Sequence, residues 1–222
     1  ADATIAYENA LALNPKSAAI ASNLGTMAQK AKEWGSALQY FEKALEIEPN
    51  LAEVHCNLGV TLQALGRLDE AEASYTQAIV LKPDFAEAHY NLGLTLKELG
   101  RLDEAEANYT QAITLKPDYA EAHYSLGNTH KELGRLDEAE ANYTQAIALK
   151  PRFAEAHYNL GNTLQVLERL GEAAANYTQA IALKPDYAEA HNNLGITLKE
   201  LGRLSEAEAS YTQAIALKPD YA

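Results

Sequence analysis

The sequence predicts an all-α protein, a solenoid of stacked helix-turn-helix hairpins, and three regularities support this fold class. Consecutive prolines are 34 residues apart: Pro15, Pro49, Pro83, Pro117, Pro151, Pro185 and Pro219. Six glycines keep the same interval: Gly25, Gly59, Gly93, Gly127, Gly161 and Gly195. So do six alanines: Ala37, Ala71, Ala105, Ala139, Ala173 and Ala207. A fixed interval of this length indicates that one small structural unit is repeated along the chain.

Six complete repeats account for nearly all of the 222 residues. We place them at 18–51, 52–85, 86–119, 120–153, 154–187 and 188–221. Residues 1–17 resemble the second half of a repeat, since Ala3, Tyr7, Ala10 and Pro15 match the later pattern. We therefore expect a lone second helix of a truncated unit there. With 47% apolar residues, the composition is typical of a globular protein.

The first half of each repeat is predicted to be a helix with one apolar face, and residues 86–119 show why. At about 100° per residue, one face carries apolar side chains. These are Ala88, Leu92, Leu96 and Leu99. The opposite face carries Glu87, Asn91, Leu94 and Glu98. The run Asp84-Phe85-Ala86-Glu87 predicts a capping box at the start of this helix.

The second half of the repeat is predicted to be a second helix, packed against the first. Gly100-Arg101-Leu102 breaks the first helical pattern, and Asp103-Glu104-Ala105-Glu106 predicts another capping box. The inward face carries Ala105, Tyr109, Ala112 and Ile113. Pro117 ends the helix, because its ring disfavours helical geometry at the residue before it.

Small residues are expected to let the two helices approach closely. Gly93 has no Cβ, and Ala105 and Ala112 have only a methyl group, while Leu92 and Tyr109 fill the remaining space. Each hairpin leaves one apolar face uncovered. The next hairpin is expected to cover it, so that stability grows with each stacked neighbour.

These residues resemble the signature of the tetratricopeptide repeat (TPR) family. Leu92-Gly93, Ala105, Tyr109, Ala112 and Pro117 match its Leu-Gly pair, alanine, aromatic residue, alanine and proline. All six repeats carry this pattern. The resemblance implies a right-handed superhelix whose concave groove is lined by the first helices, and it implies binding of a peptide or protein rather than catalysis.

Charge and composition exclude several classes of protein. A formal net charge of −13 argues against nucleic-acid binding, which needs clustered Lys and Arg. No apolar stretch approaches the roughly 18 residues that insertion into a membrane requires. The single cysteine, Cys56, cannot form an internal disulfide, which favours a reducing compartment such as the cytoplasm. The compartment itself stays open.

No catalytic residue, metal site or cofactor is predicted, and we expect no enzymatic activity. Five of the six histidines occupy one repeat position, about 8–10 Å apart in stacked helices, which is too far to share a metal. His123 and His130 lie about 10 Å apart along one helix. We interpret these histidines as half-buried packing residues. Asn108, Asn142 and Asn176 begin glycosylation acceptor patterns, but within helices they are interpreted as structural.

The candidate peptide-binding groove is the outward stripe of the first helices. Its recurring asparagines are Asn23, Asn57, Asn91, Asn159 and Asn193, with Ser125 interrupting the row. Its other members are Tyr90, Tyr124, Tyr158, Asn128, Asn162, Lys97, Lys131 and Lys199. A carboxamide both donates and accepts hydrogen bonds, so a row of them suits the backbone of an extended peptide. Recent duplication of one repeat is the alternative explanation for the recurring asparagines.

The asparagine row is similar to that of the TPR superhelix of O-GlcNAc transferases, in which asparagines just before Leu-Gly hold peptide backbone. Asn128 and Asn162 echo the asparagine of the chaperone-tail clamp, but that clamp has lysine where Tyr90, Tyr124 and Tyr158 stand. The resemblance therefore does not favour a carboxylate-tail ligand.

We predict a non-catalytic scaffold that binds an extended peptide or protein segment. Glutamates line the same stripe, so a neutral to basic segment is favoured. They are Glu53, Glu87, Glu121, Glu155 and Glu189. Two alternatives stay open: the substrate-recruiting arm of a larger enzyme such as an O-GlcNAc-transferase-like glycosyltransferase, and a self-assembling structural filament. End-to-end self-association is expected because no polar capping helix is evident in the sequence.

Overall fold

The structure is a computed structural model that describes residues 13–219, and all regular secondary structure within that range is helical. Its twelve α-helices are α1 (Ala18–Lys30), α2 (Trp34–Ile47), α3 (Ala52–Ala64), α4 (Leu68–Leu81), α5 (Ala86–Glu98), α6 (Leu102–Leu115), α7 (Ala120–Glu132), α8 (Leu136–Leu149), α9 (Ala154–Val166), α10 (Leu170–Leu183), α11 (Ala188–Glu200) and α12 (Leu204–Leu217). The all-α prediction is confirmed. The lone helix predicted over residues 1–17 lies mostly outside the described residues.

The helices form hairpins, and the hairpins stack. The chain divides into two compact segments, Ala1–Pro117 and Asp118–Ala222, which we call the N-terminal and C-terminal segments. The N-terminal segment contains the hairpins α1/α2, α3/α4 and α5/α6, and α2 contacts α3 as α4 contacts α5. In the C-terminal segment the hairpins are α7/α8, α9/α10 and α11/α12, with α8 against α9 and α10 against α11. Within each segment the predicted helix-turn-helix stacking is confirmed.

The core of each hairpin consists of the faces that the periodicity predicts. In α5, Ala88, Leu92 and Leu96 are buried, and in α6 Ala105 and Tyr109 are completely covered. In five of the six repeats a threonine three residues after the Leu of the Leu-Gly pair is also fully buried, which the periodicity did not predict. These residues are Thr61, Thr95, Thr129, Thr163 and Thr197. Each hydroxyl donates to the backbone carbonyl four residues earlier, so no hydrogen-bonding capacity is lost.

The recurring glycine of the first helix allows a close approach of the second helix, as predicted. A Cβ atom built at Gly127 would lie 2.8 Å from Cδ1 of Tyr143, whose ring is fully buried. A Cβ at Gly161 would lie 2.7 Å from Cε1 of Tyr177. Real Cβ atoms do not come this close to a fixed ring, so the aromatic side chain occupies the space that glycine leaves.

The turn between the two helices of a hairpin is a Schellman motif. After α3, the Gly66 N–H donates to the Gln63 carbonyl and the Arg67 N–H to the Leu62 carbonyl, both at 2.9 Å. The motif requires a left-handed backbone, and Gly66 has φ of +73°. Two turns place a residue with a side chain there instead: Lys32 has φ of +60° and Glu168 has φ of +59°.

Glu168→Gly is therefore expected to stabilise the protein. A side chain in the left-handed region costs about 1–2 kcal/mol, and the greater entropy of glycine in the unfolded chain offsets about 0.5–1 kcal/mol of the gain. We expect the free energy of unfolding in urea to rise by roughly 0.5–1 kcal/mol. The reverse change at an equivalent turn, Gly134→Ala, is expected to lower it. A destabilised Glu168→Gly variant would contradict this account of the turn.

The predicted capping boxes are wrong. Helix α6 begins at Leu102 with Arg101 as its N-cap, and no side chain caps it; α5 likewise has Phe85 as N-cap without a side-chain hydrogen bond. Asp103 and Glu104 instead lie within the first turn of α6, where carboxylates interact favourably with the helix dipole. The Arg101 guanidinium binds Glu104 through Nε and Nη2, both at 2.6 Å.

Candidate functional site

In the C-terminal segment, asparagines of the predicted groove link successive first helices. Asn159 on α9 donates through Nδ2 to the Tyr124 hydroxyl and to Asn128 Oδ1 on α7, both at 2.9 Å. One repeat later, Asn193 donates to the Tyr158 hydroxyl at 3.1 Å and to Asn162 Oδ1 at 2.9 Å. We call these six residues the Tyr–Asn ladder: Tyr124, Asn128, Tyr158, Asn159, Asn162 and Asn193.

Buried tyrosines of the second helices fix the orientation of two ladder asparagines. The Tyr143 hydroxyl donates to Asn128 Oδ1 at 2.8 Å. The Tyr177 hydroxyl lies 2.8 Å from Asn162 Oδ1 and 2.9 Å from Gln165 Oε1. Because Oδ1 of Asn128 and of Asn162 each accepts from a tyrosine and from the next asparagine, the carboxamide cannot flip without losing both bonds. The NH₂ groups of Asn128 and Asn162 are therefore turned away from these contacts.

The aromatic rings around the ladder are packed rather than freely displayed. The Tyr124 ring lies 6.0 Å from that of Tyr143 and 4.7 Å from that of Phe153. Tyr158 repeats this arrangement with Tyr177 at 5.9 Å and Tyr187 at 4.8 Å. Burial raises the pKa of Tyr143 and of Tyr177 well above the usual range. Both hydroxyls therefore stay protonated and remain donors at physiological pH.

The N-terminal segment has a different chemistry at the same repeat positions. Asn23 is exposed and Asn57 is half-buried, while Asn91 Nδ2 lies 3.9 Å from Cys56 Sγ. Half-buried Val60 and Leu94 stand at the positions that Asn128 and Asn162 hold in later repeats. Here the Tyr90 ring packs 5.9 Å from the Tyr109 ring. The first helices of this segment therefore present a more apolar stripe than the ladder does.

Cys56 is a packing residue in this arrangement. Its side chain is buried, and desolvation raises the pKa of the thiol to about 11. Since the thiolate is the reactive form, Cys56 stays a weak nucleophile at neutral pH.

Four of the five groove glutamates are held by lysines from the end of the second helix of their own repeat. The distances from Lys Nζ to Glu Oε1 are 3.1 Å for Lys82–Glu53, 3.9 Å for Lys116–Glu87, 2.8 Å for Lys150–Glu121 and 3.3 Å for Lys218–Glu189. Exposed pairs of this kind contribute little stability, but they reduce the negative charge that the stripe presents. The preference for a neutral to basic partner stays a prediction.

The three groove lysines lie in the last turn of their first helices. Lys97 and Lys131 are half-buried and Lys199 is exposed. They take the repeat position that Gln63 and Gln165 hold elsewhere. Since the Tyr75 hydroxyl donates to Gln63 at 3.3 Å, this position lies beside the second-helix tyrosine. Sequence periodicity gave no sign of this contact.

The histidines have the packing role that the sequence predicts. His89 Nε2 lies 3.3 Å from the Pro83 carbonyl, and Nδ1 lies 3.2 Å from Asn108 Oδ1. His157 makes the same two contacts two repeats later. Asn108 also donates to the Glu104 carbonyl, so its carboxamide belongs to the hairpin structure. Within residues 13–219 no three His, Cys, Asp or Glu side chains are grouped to hold a metal ion.

Comparison with known families decides the assignment of this architecture. A family profile described as TPR repeat matches residues 64–100, 93–134, 129–167 and 166–202. Three profiles described as Tetratricopeptide repeat match residues 188–221, 40–73 and 18–51. The chain belongs to the tetratricopeptide repeat family. The matched residues include every ladder member, so the candidate groove of this TPR chain lies entirely within the repeats.

Solved structures share the fold of this TPR chain. The PilF protein of Pseudomonas aeruginosa superposes with a TM-score of 0.81 at 20% identity, covering 91% of this chain and 92% of that one. PilW, a type IV pilus biogenesis factor, has a TM-score of 0.79 at 25% identity over 92% and 94% of the two chains. YrrB, described as a TPR protein with an unusual peptide-binding site, has a TM-score of 0.69 at 25% identity over 83% and 95%.

A search of curated protein sequences found no significant match. Among the described helices, none combines the length and the apolar character that crossing a membrane requires.

Proposed function

We propose that this TPR chain is a non-catalytic protein-interaction scaffold and that the Tyr–Asn ladder of its C-terminal segment holds the backbone of an extended peptide. The TPR-fold neighbours support the scaffold function, and the peptide-binding site named for YrrB supports a peptide as ligand. No residue of the ladder has a catalytic role in this proposal.

The fixed orientation of the ladder carboxamides carries the proposal. Asn128 and Asn162 use Oδ1 for internal bonds, which leaves two N–H donors each for a ligand. Asn159 uses Nδ2 internally, which leaves its carbonyl oxygen as an acceptor. In chain order, the groups left for a ligand at Asn128, Asn159 and Asn162 are thus donor, acceptor and donor. An extended peptide backbone presents carbonyl and N–H groups in alternation, so the two sets are complementary.

The internal hydrogen bonds of the ladder determine which atoms of the predicted groove residues can contact a ligand. The sequence predicts that Asn159 and Asn193 hold the peptide with whole carboxamides, but their NH₂ groups are engaged with the preceding repeat. Asn128 and Asn162 are the stronger donor candidates. In the N-terminal segment, Val60 and Leu94 favour contact with apolar side chains of the peptide instead.

The double variant Asn128→Asp/Asn162→Asp is expected to weaken peptide binding strongly while the fold is retained. One carboxylate oxygen keeps the internal bonds from Tyr143 and Tyr177, and the other replaces the outward NH₂ donors with an acceptor. Peptides selected by the parent protein from a displayed library of random unstructured sequences would serve as ligands. We expect fluorescence anisotropy to show at least about tenfold weaker binding, because charged and buried hydrogen bonds contribute about this much to the binding free energy.

The matched control is Gln145→Glu/Gln179→Glu, which adds the same charge at exposed positions of α8 and α10. This control is expected to bind the selected peptides as the parent does. Peptides methylated at backbone nitrogens are expected to bind weakly to every variant, because the proposed contacts are to the backbone. Equal binding by the Asp variant and the control, with unchanged helicity, would falsify the ladder as the binding site.

The enzyme-arm and filament alternatives, and end-to-end self-association, stay predictions.

A further inference from the structure

A groove outside the ladder lies between the second helices α10 and α12, above α11. Its volume is about 470 Å³. Ala174 and Ala175 of α10 form one wall, Leu194 and Leu198 of α11 form the floor, and Arg203 stands at the start of α12. All of these residues belong to the C-terminal segment.

In two other pairs of neighbouring hairpins, a glutamate occupies the position that corresponds to this groove. Arg101 donates through Nη1 to Glu72 Oε2 at 2.6 Å, and Arg169 donates through Nη1 to Glu140 Oε2 at 2.6 Å. In both cases the glutamate precedes the arginine by 29 residues. These glutamate side chains are only 27% and 24% exposed, so each carboxylate is largely enclosed between hairpins.

At the α10/α12 pair the carboxylate is missing. The residue 29 positions before Arg203 is Ala174. Arg203 binds Glu206 through Nε at 2.8 Å and Nη2 at 2.6 Å, as the other arginines bind their own first-turn glutamates. Within the described residues, Nη1 of Arg203 has no acceptor. The guanidinium thus keeps the orientation of Arg101 and Arg169 while the site of the second carboxylate stands open.

The lining has also lost negative charge. Gly171 replaces the aspartate found at this repeat position as Asp69, Asp103 and Asp137. With Ala174 in place of glutamate, two carboxylates that would repel an acidic ligand are absent from the groove. Glu206 does not prevent the entry of another carboxylate, because Arg101 and Arg169 each bind two carboxylates at once.

We propose that this groove binds a glutamate or aspartate side chain of a partner polypeptide, with an apolar neighbour of that residue resting on Leu194 and Leu198. The carboxylate takes the place of the missing repeat glutamate and accepts from Nη1 of Arg203. Charge-assisted bonds to arginine are short and about twice as strong as neutral ones. This docking site is independent of the Tyr–Asn ladder and takes a ligand of opposite charge preference.

Titration of the full chain with a short peptide tests the proposal. The probe is acetyl-Leu-Ala-Glu-Ala-amide, and the control peptide carries Gln in place of Glu. Methyl resonances of Ala175 and Ala209, which line opposite walls, report binding by NMR. We expect saturable shifts with the Glu peptide and at least about tenfold weaker binding of the Gln peptide. Arg203→Gln is expected to remove the preference for Glu.

The variant Ala174→Glu restores the repeat residue and is expected to fill the site from within the chain. It should melt at a higher temperature than the parent and lose the peptide-induced shifts. Ala148→Glu adds the same charge at an exposed position of α8 and is expected to bind the Glu peptide as the parent does. Equal shifts with the Glu and Gln peptides, no saturable shift, or full binding by Ala174→Glu would each overturn the proposal.

Discussion

Gly127→Ala is expected to destabilise the C-terminal segment strongly, although it adds only one methyl group and exchanges glycine for a better helix former. The new Cβ would lie 2.8 Å from both Cδ1 and Cε1 of Tyr143. The ring cannot withdraw, because it is fully buried and its hydroxyl is bonded to Asn128. Overpacking of a well-packed core costs about 1–3 kcal/mol. At roughly 2–4 °C per kcal/mol for a chain of this size, the melting temperature should fall by several degrees.

The matched control for this prediction is Gly171→Ala. Gly171 also lies in a helix of the C-terminal segment, but a Cβ there meets no atom within 4 Å. This variant is expected to gain about 0.5–1 kcal/mol of stability, because alanine loses less backbone entropy on folding. Urea unfolding measures both variants, and hydrogen exchange in α7 and α8 locates the effect. A Gly127→Ala protein as stable as Gly171→Ala would refute the steric account.

The repeat pattern predicts the hairpins because each position of the 34-residue unit has one dominant environment. Glycine, alanine and the aromatic residue recur where two helices touch, so their spacing alone predicts the close contact at Gly127. Helix starts were predicted less well. Asp103 and Glu104 fit two interpretations equally well: a capping box that precedes the helix, or acidic residues within the first turn of the helix. Only the backbone conformation distinguishes the two. Arg101 occupies the cap position, and Asp103 lies inside the helix.

The sequence predicts the asparagine row of the candidate site, but it does not predict the hydrogen-bond partners of those asparagines. Periodicity identifies the row that contains Asn159 and Asn193, but it does not show that their partners lie 35 and 31 residues earlier in the preceding repeat. Covariation along the chain does not show it either, because Asn57 and Asn91 follow repeats that have Ser22 and Cys56 in place of the tyrosine. Contacts across repeats of this kind can be read from a sequence only when the stacking register is known.

Residues that depart from the repeat pattern are informative about function, whereas residues that keep it are informative about the fold. Gly171 and Ala174 fall in one hairpin, and both remove a carboxylate that the three preceding repeats keep. Glu168 in the same repeat introduces a backbone conformation that glycine adopts more easily. A scaffold gains nothing in stability from these changes, because each replaces a favourable local residue. Gly171 and Ala174 both line the open Arg203 groove, which supports a binding role for that face.

Tyr177→Ala and Tyr177→Phe are expected to separate packing from hydrogen bonding in the ladder. The ring of Tyr177 is fully buried between α9 and α10, so truncation to alanine should lower the free energy of unfolding by about 3–5 kcal/mol. Phenylalanine keeps the ring and loses only the hydroxyl, at a cost of about 1 kcal/mol. Urea unfolding and calorimetry measure both variants. Similar losses for the two would mean that the ring contributes little.

The phenylalanine variant also links stability to the proposed binding function. Without the Tyr177 hydroxyl, Asn162 Oδ1 keeps only its bond from Asn193, so the carboxamide is free to reorient and its outward donors are no longer fixed. We expect peptide affinity to fall several-fold while helicity is unchanged. Tyr211→Phe is the control, since Tyr211 has the same repeat position and its hydroxyl bonds to no described residue. If both phenylalanine variants bound the selected peptides equally well, the orientation of Asn162 would have no role in recognition.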